Sequence, residues 1–429
     1  MMAREMKDSG IQWIGEIPKE WGRCKIKNIC LFIGSGTTPA SNNKEFYEFG
    51  TINWIQSGDI YGKSIIENVS TLITETALSI NKALRIYKSP FITIAMYGGS
   101  VGNTAISNID ACTNQACCCI KPNKTVDLKF LYYWIDFCKT NFLFKAEGSG
   151  QTNISQEKIK NQIFMFPMIR EQKEIVYYLD KKCAKIEKLK LDIQSQISIL
   201  EDYSKSVITE AVTKGLNPYV EMKDSGIAWI GERPKRWEIV RGKYILTLLS
   251  KSVKEDDGVI TCFRDGEVTL RNNRREGGFT MSDKEIGYQG IDVGDLVVHG
   301  MDGFAGAIGI SDSRGKGSPV LNVLDTIHNK KYIMYYLRSM AYSNVFTALA
   351  TGIRVRSCDL RWNKLAELFY PIPSKKEQDE IVAYIDKKIF DTNNLIERKR
   401  DQLDVLEQYK KSLIYEYVTG KKEVFINDS

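Results

Sequence analysis

The stretch from Met6 to Trp21, MKDSGIQWIGEIPKEW, returns as Met222 to Trp237, MKDSGIAWIGERPKRW, with 13 of 16 positions identical. Self-likeness of that order means a duplicated structural unit, and it constrains every later assignment. A second pair accompanies it: Glu171 to Lys182 (EQKEIVYYLDKK) returns as Glu377 to Lys388 (EQDEIVAYIDKK). The likeness resumes at Leu200, Glu201, Tyr203, Ser206, Ile208, Glu210 and Val212 against Leu406, Glu407, Tyr409, Ser412, Ile414, Glu416 and Val418. The chain is therefore two halves, each running short motif, unlike domain, long helix.

Both helices carry their own punctuation. Between Glu171 and Thr213 there is neither proline nor glycine, with Pro167 just before and Gly215 just after. The partner stretch, Glu377 to Thr419, is equally uninterrupted, ends at Gly420, and begins with Ser374 and Glu377 at capping-box spacing. Val176, Leu179, Cys183, Ile186, Ile193, Ile197, Leu200, Val207 and Ala211 fall at alternating three- and four-residue steps. Val382, Ile385, Ile389, Ile396, Leu403, Leu406 and Leu413 do the same. Such seams predict two helices of roughly 65 Å that bury their apolar stripes on each other. An antiparallel pair is expected, because a chain repeating domain, helix, domain, helix closes best about a pseudo-twofold axis. Lys190 and Ser204 interrupt the first seam and Thr392 and Lys399 the second, which predicts register fixed partly by polar positions.

The regions between, about Gly22 to Phe166 and Glu238 to Tyr370, are rich in short β-type runs such as Phe91 to Tyr97 and Gly294 to Gly300, broken by glycine turns. They resemble each other little. The expected fold class is mixed α/β (α+β): two globular domains separated by two long helices in an antiparallel coiled coil. The expected boundaries are 1–168 for the first motif and domain, 169–215 for the first helix, 216–374 for the second motif and domain, 375–421 for the second helix and 422–429 for a tail. A chain of 429 residues is in any case too long for one hydrophobic core.

Composition excludes several function classes. Hydrophobic residues at 43% and charged residues at 26% suit folded globular domains, and no run of about 18 apolar residues is long enough to span a membrane, so a cytoplasmic location is expected. The ten cysteines include no C-x-x-C pair and the chain has two histidines, which favours buried free thiols and predicts no metal site. There is no G-x-G-x-x-G loop and no Walker-type phosphate loop, and Asn217-Pro218-Tyr219 lacks the second proline of an adenine-positioning Asn-Pro-Pro-aromatic sequence. No catalytic residue and no cofactor is expected on this chain. The net charge of +7 permits a polyanion partner without demanding one.

A part duplicated faithfully should meet the same partner twice, and parts that differ should meet different targets. On the doubled DSGIxWIGExPxxW segment, the doubled EQxEIVxYxDKK helix start, and the stretches Gly148 to Ser155 (GSGQTNIS) and Thr351 to Ser357 (TGIRVRS), the sequence resembles the specificity subunits of Type I restriction-modification enzymes over almost its whole length. The resemblance implies a noncatalytic subunit in which each unlike region is a target-recognition domain reading one half of a split, asymmetric site in double-stranded DNA, while the helices set the gap. It implies two modification subunits, carrying S-adenosylmethionine-dependent adenine methyltransferase activity, docked on the repeated elements. Restriction subunits, the motor nucleases, would join for cleavage.

Base readout needs Arg, Asn or Gln on loops or a groove helix, and phosphate contact needs Lys, Arg and backbone amides. In the second domain the candidates are Arg264, Arg271, Asn272, Asn273, Arg274 and Arg275, with Arg354, Arg356 and Arg361 beside the second helix. In the first domain they are Ser57, Asp59, Tyr61 and Lys63 around Gly58, then Tyr97, Gly98, Gly99 and Ser100, then Gln151, Thr152 and Asn153. Exposed hairpins and internal ion pairs are the alternatives for these residues. Trp13, Trp21, Trp229 and Trp237 are better read as core seating each domain on its helix than as a partner surface. A stand-alone two-headed DNA-binding regulator is the alternative function, which the faithful helix duplication disfavours.

Overall fold

A computed structural model describes residues 4–144, 153–274, 286–349 and 360–424. They form two compact units, one of Met1–Asp192 with Gln402–Ser429 and the other of Ile193–Asp401. The division falls inside both long helices, so each unit holds one domain and a portion of each helix.

In the first unit the repeated motif is a hairpin, Met6–Asp8 against Glu16–Pro18, with Met6 opposite Pro18. Its turn is held by side chains: the Gly10 amide donates to Asp8 Oδ1 at 2.9 Å and the Ile11 amide to Ser9 Oγ at 3.1 Å. Strand Gly22–Lys25 pairs antiparallel with Ile163–Phe166 and so closes the domain. Inside lies a five-stranded sheet in the order Cys30–Gly34, Cys117–Pro122, Phe91–Ala95, Thr104–Ser107, Ile65–Ile66. A smaller sheet sets Ile52–Ile55 between Cys112–Thr113 and Leu72–Ile73. The Phe91–Ala95 strand is buried on both faces, as its unbroken apolar run requires. Cys117, Cys118 and Cys119 are buried on the strand beside it, and burial pushes the Cys118 thiol up to about 12, so these cysteines are core packing.

The second unit repeats the plan with different filling. Its hairpin, Met222–Asp224 against Glu232–Pro234, keeps the register and the Asp224 and Ser225 turn bonds. Glu238–Arg241 closes on Phe369–Ile372. The sheet has four strands, ordered Leu246–Leu248, Leu321–Thr326, Leu296–His299, Ile308–Ile310.

The spacer helices run Ile169–Lys214 and Lys375–Val418, and left-handed Gly215 and Gly420 terminate them as expected of helix-ending glycines. Within the first unit the rings of Tyr178 and Tyr417 lie 4.5 Å apart, while Lys410 reaches Glu187 at 2.7 Å and Lys190 reaches Glu407 at 2.8 Å. Rising numbers on one helix meet falling numbers on the other: the pair is antiparallel. Within the second unit the same sense holds, with Arg400 3.9 Å from Glu201 and with Ile208, Ala211 and Val212 sharing a core with Ile381, Val382 and Ile385. Of the polar seam positions, Lys190 makes the cross-helix ion pair, Thr392 returns its hydroxyl to Lys388 O at 2.8 Å on its own helix, and the buried Ser204 hydroxyl has no partner among the described residues.

Trp21 and Trp237 are core, each fully buried, and Trp229 is partly buried against the second core, whereas Trp13 packs on Phe137 at 5.1 Å but stays 38% exposed, contrary to the expectation that it is core. Trp21 Nε1 donates to Glu171 Oε1 at 3.3 Å, at the start of the first spacer helix. Across the repeat the anchor changes chemistry: Arg236, where the first motif has Glu20, reaches Glu377 Oε1 at 2.9 Å. A methyl group on Gly420 would collide with Pro18, and one on Gly215 would press on Trp237, so each motif also receives the end of a spacer helix.

Candidate nucleic-acid interface

Three stretches of the first domain that are far apart in sequence converge. The short helix Ser57–Ile60 follows strand Ile52–Ile55 and packs on the Gly98–Ser100 turn, which follows strand Phe91–Ala95. Tyr97 forms an antiparallel bridge with Asn153, and the Ile154 amide donates to Met96 O at 2.9 Å. The surface so assembled is open: a Cβ on Gly58, Gly62, Gly98 or Gly99 would meet no atom within 4 Å. Tyr61 is 70% exposed and Tyr97 40%, with Lys63 exposed between them in the chain. Bare backbone flanked by aromatic rings and a lysine is suited to a closely approaching phosphate or base edge.

Asp59 differs from its neighbours. It is buried, and its carboxylate accepts the amides of Gln56 and Ser70, each at 2.9 Å. It shapes the loop that displays Ser57, Tyr61 and Lys63. Gln151 and Thr152 lie outside the described residues.

The second domain builds the matching place from other side chains. Aligning Ser311 with Ser107 sets Met301 on Tyr97, Asp302 on Gly98, Gly303 on Gly99 and Gly306 on Gly102. Strand Ile260–Cys262 leads into the turn bearing Arg264, and Arg264 Nη2 meets Asp302 Oδ1 at 2.9 Å. The Leu360 amide donates to Gly300 O at 2.8 Å, which brings Arg361 to the same turn. Arg274 lies over the Phe263 ring at 4.2 Å and pairs with Asp265 and Glu267 at 2.8 and 2.9 Å. Arg264, Arg274, Arg361 and Asp302 thus gather at one end of the sheet. Arg271, Asn272 and Asn273 form a 3-10 turn after strand Val268–Leu270; Asn273 Nδ2 donates to Thr269 Oγ1 at 2.8 Å, while Arg271 Nε lies 3.5 Å from Thr261 Oγ1. Arg275, Arg354 and Arg356 lie outside the described residues.

Sequence reasoning missed Met301, which is 46% exposed at this turn, and Asp302, the partner of Arg264. The glycines shared with the Gly98–Gly102 loop are the signal that could have found them. It also missed His299, whose Nδ1 accepts the amides of Met301 and Asp302 at 3.2 and 3.0 Å and which burial holds below the ordinary histidine pKa, so the neutral ring braces the turn.

Residues 18–198 match the family described as Type I restriction modification DNA specificity domain. The chain is 22% identical over 428 residues to the type I restriction enzyme MjaVIII specificity subunit of Methanocaldococcus jannaschii, covering 95% of this chain and 94% of that one. Its similarity is to the type I restriction enzyme specificity subunits. A second relative, the EcoR124I/EcoR124II specificity subunit of Escherichia coli, is 26% identical over 182 residues, a match taking in 41% of each chain. The specificity-subunit fold is shared with the HsdS subunit of Thermoanaerobacter tengcongensis at a TM-score of 0.50 and 15% identity, covering 97% of this chain and 100% of that one. It is also shared, at a TM-score of 0.67 and 14% identity over 95% of this chain and 99% of the other, with a chain solved in work on complex assembly and conformational transition of the type I R-M system. None of these similarities supports a stand-alone regulator. Among the described residues no helix is long and apolar enough to cross a membrane.

Proposed function

We propose that this specificity subunit gives a cytoplasmic restriction-modification complex its DNA sequence preference, each domain reading one half of a split, asymmetric site and the paired helices setting the gap. In the first domain the contacts fall to Ser57, Tyr61, Lys63, Tyr97, the backbone of Gly98, Gly99 and Ser100, and Asn153. In the second they fall to Arg264, Arg271, Asn272, Asn273, Arg274 and Arg361. Two modification subunits bring S-adenosylmethionine and the adenine methyltransferase centre, and restriction subunits bring cleavage; this chain contributes recognition and no chemistry of its own.

One observation carries this reading: the same convergence of loops is built twice on a duplicated frame, once with open glycine backbone and tyrosines, once with arginines and an acid. Half-sites about one helical turn apart, ~34 Å or more, would need such a two-headed frame.

The test is to co-express the chain with its cognate modification subunit and map adenine methylation across a genome. A split asymmetric motif is expected, and replacing residues 22–166 with the first domain of another family member should change one half only. A change in both halves, or in neither, would refute the modular reading.

A further inference from the structure

The exposed ring of Trp13 borders a solvent-open cleft of about 940 Å³ in the first unit. Its walls are the end of the domain helix Leu128–Phe137 with the residues just after it, and the second spacer helix from Glu407 to Tyr415. Aromatic rings run along it in a chain, with Trp13 5.1 Å from Phe137 and Phe137 5.5 Å from Tyr415. A tryptophan left 38% exposed at the end of such a chain offers a face on which a planar ring can stack.

Two acceptors line the same cleft without a donor. Asp136 makes no hydrogen bond or ion pair among the described residues, and burial raises its pKa against the pull of Lys410 and Lys139. The amide oxygen of Asn141 is buried and has no partner among the described residues. Desolvated acceptors cost stability, so folding does not account for keeping them; N–H donors of a bound molecule would satisfy both. The lysines of the cleft are anchored: Lys139 donates to Asn103 Oδ1 at 2.5 Å, Lys410 meets Glu187 at 2.7 Å, and Lys411 lies 3.8 Å from Glu407. An ammonium has three donors, so each keeps some for an anion.

The repeat builds no second copy of this arrangement. The register that matches Tyr133 with Tyr335 sets Arg338 on Asp136 and Ser339 on Phe137, and the register that matches Glu171 with Glu377 sets Thr209 on Tyr415. Arg338 and Ser339 are spent inside their own unit, on Asp265 O at 2.6 Å and Tyr336 O at 2.7 Å. A surface for a partner held twice would keep its side chains in both halves. The ring chain and the free acid occur once, so their occupant is bound once per chain.

Donors, ring and charge together select that occupant. An organic cation would gain from Asp136 and the rings but would meet Lys139, Lys410 and Lys411 as well. Guanine offers adjacent N–H donors to one carboxylate and a flat ring to Trp13, and as a nucleotide it brings a phosphate for the lysines. Adenine sets a ring acceptor where guanine has the second donor, and a carboxylate repels it. The cleft is also within the range of about 300–1,000 Å³ usual for small-molecule sites.

We propose that this cleft binds one free guanine nucleotide, its ring on Trp13, its N1–H and amino group on Asp136 and its phosphate toward Lys139 and Lys411. This goes beyond sequence recognition and does not depend on it.

The experiment is calorimetric titration of the full chain with guanosine monophosphate, guanosine, adenosine monophosphate and xanthosine monophosphate. Guanosine monophosphate is expected to bind at one site per chain, with guanosine and adenosine monophosphate each weaker by about tenfold or more. W13A and T140W, the second at an exposed lining position, should weaken it by a like factor. D136N presents a donor beside an acceptor, so its preference should pass to xanthosine monophosphate, which has a carbonyl in place of the amino group. A merely structural Asp136 would not exchange one nucleotide for the other. Thermal melting of the unliganded chain, unchanged in D136N and T140W, separates binding from folding. No saturable uptake at millimolar guanosine monophosphate, two sites per chain, equal affinity for adenosine monophosphate, or affinity and preference unaltered in D136N and T140W would each overturn the proposal.

Discussion

The Tyr133 hydroxyl donates to Asp180 Oδ1 at 2.8 Å, tying the first domain's helix to the first spacer helix. Lys129 joins the same carboxylate, and in the second unit Asp386 takes the same two partners, Tyr335 and Lys331. Hydrogen bonds to a charged acceptor are worth about 1.5–3 kcal/mol each when part-buried. Asp180→Ala should therefore cost the first unit about 2 kcal/mol and Asp386→Ala the second unit a like amount. Urea unfolding followed by hydrogen exchange resolves the units; loss of protection spread evenly over both units in either variant would contradict this assignment.

Ser204 offers the opposite sign. Its hydroxyl is buried in the seam with no partner among the described residues, and the repeat places Lys410 at the corresponding position. Ser204→Ala removes the desolvated hydroxyl and suits a helix better, so a gain of about 1 kcal/mol is expected in chemical denaturation. A loss of stability would mean that the hydroxyl has a bound partner in solution.

Acid should loosen the second domain in a definite window. Lys251 and Arg314 hold the Asp292 carboxyl down to about 2, and Arg314 also lowers Asp257. A carboxylate depressed in the folded state contributes stability that is fully present above its unfolded value of about 3.9 and is lost as pH falls toward the folded value. The melting temperature of this unit should therefore drop between about pH 4 and pH 2, and Arg314→Leu should flatten that drop. A variant whose pH profile stays parallel to the parent's would show that the pairs are screened away.

Arg264 and Tyr61 test the two reading surfaces separately. Arg264→Ala should cost about 1–3 kcal/mol of binding and relax preference in one half of the site, leaving the other half as it was. Tyr61→Ala should do the reverse. Binding to oligonucleotides randomised in each half, at one fixed salt concentration, gives the comparison. An Arg264→Ala loss that is uniform over all sequences would assign Arg264 to phosphate instead of base.

The spacer helices were legible because proline and glycine bound two uninterrupted heptad patterns, and Gly215 and Gly420 end them where the sequence says. Trp21 and Trp237 were legible as core for a related reason: a large aromatic at a fixed place in both copies has a fixed hole to fill, a rule that Trp13, 38% exposed, does not follow. What the residues do for one another was not legible. Arg264 and Asp302 are 38 positions apart and meet only because two strand ends share one edge of the domain. Nor does any local pattern say that Asp59 is spent on the amides of Gln56 and Ser70 while Tyr61, two residues on, stands in solvent. Loop chemistry depends on where the sheet delivers each loop, and that is a long-range property.

In the first unit Gly420 rests on Pro18 and Trp21 and Arg4 lies 3.6 Å from Glu423, while in the second Gly215 rests on Trp237. Each spacer helix thus ends on a repeated motif, so a side chain larger than hydrogen at Gly215 or Gly420 would disturb a helix end and the seat of a hairpin together.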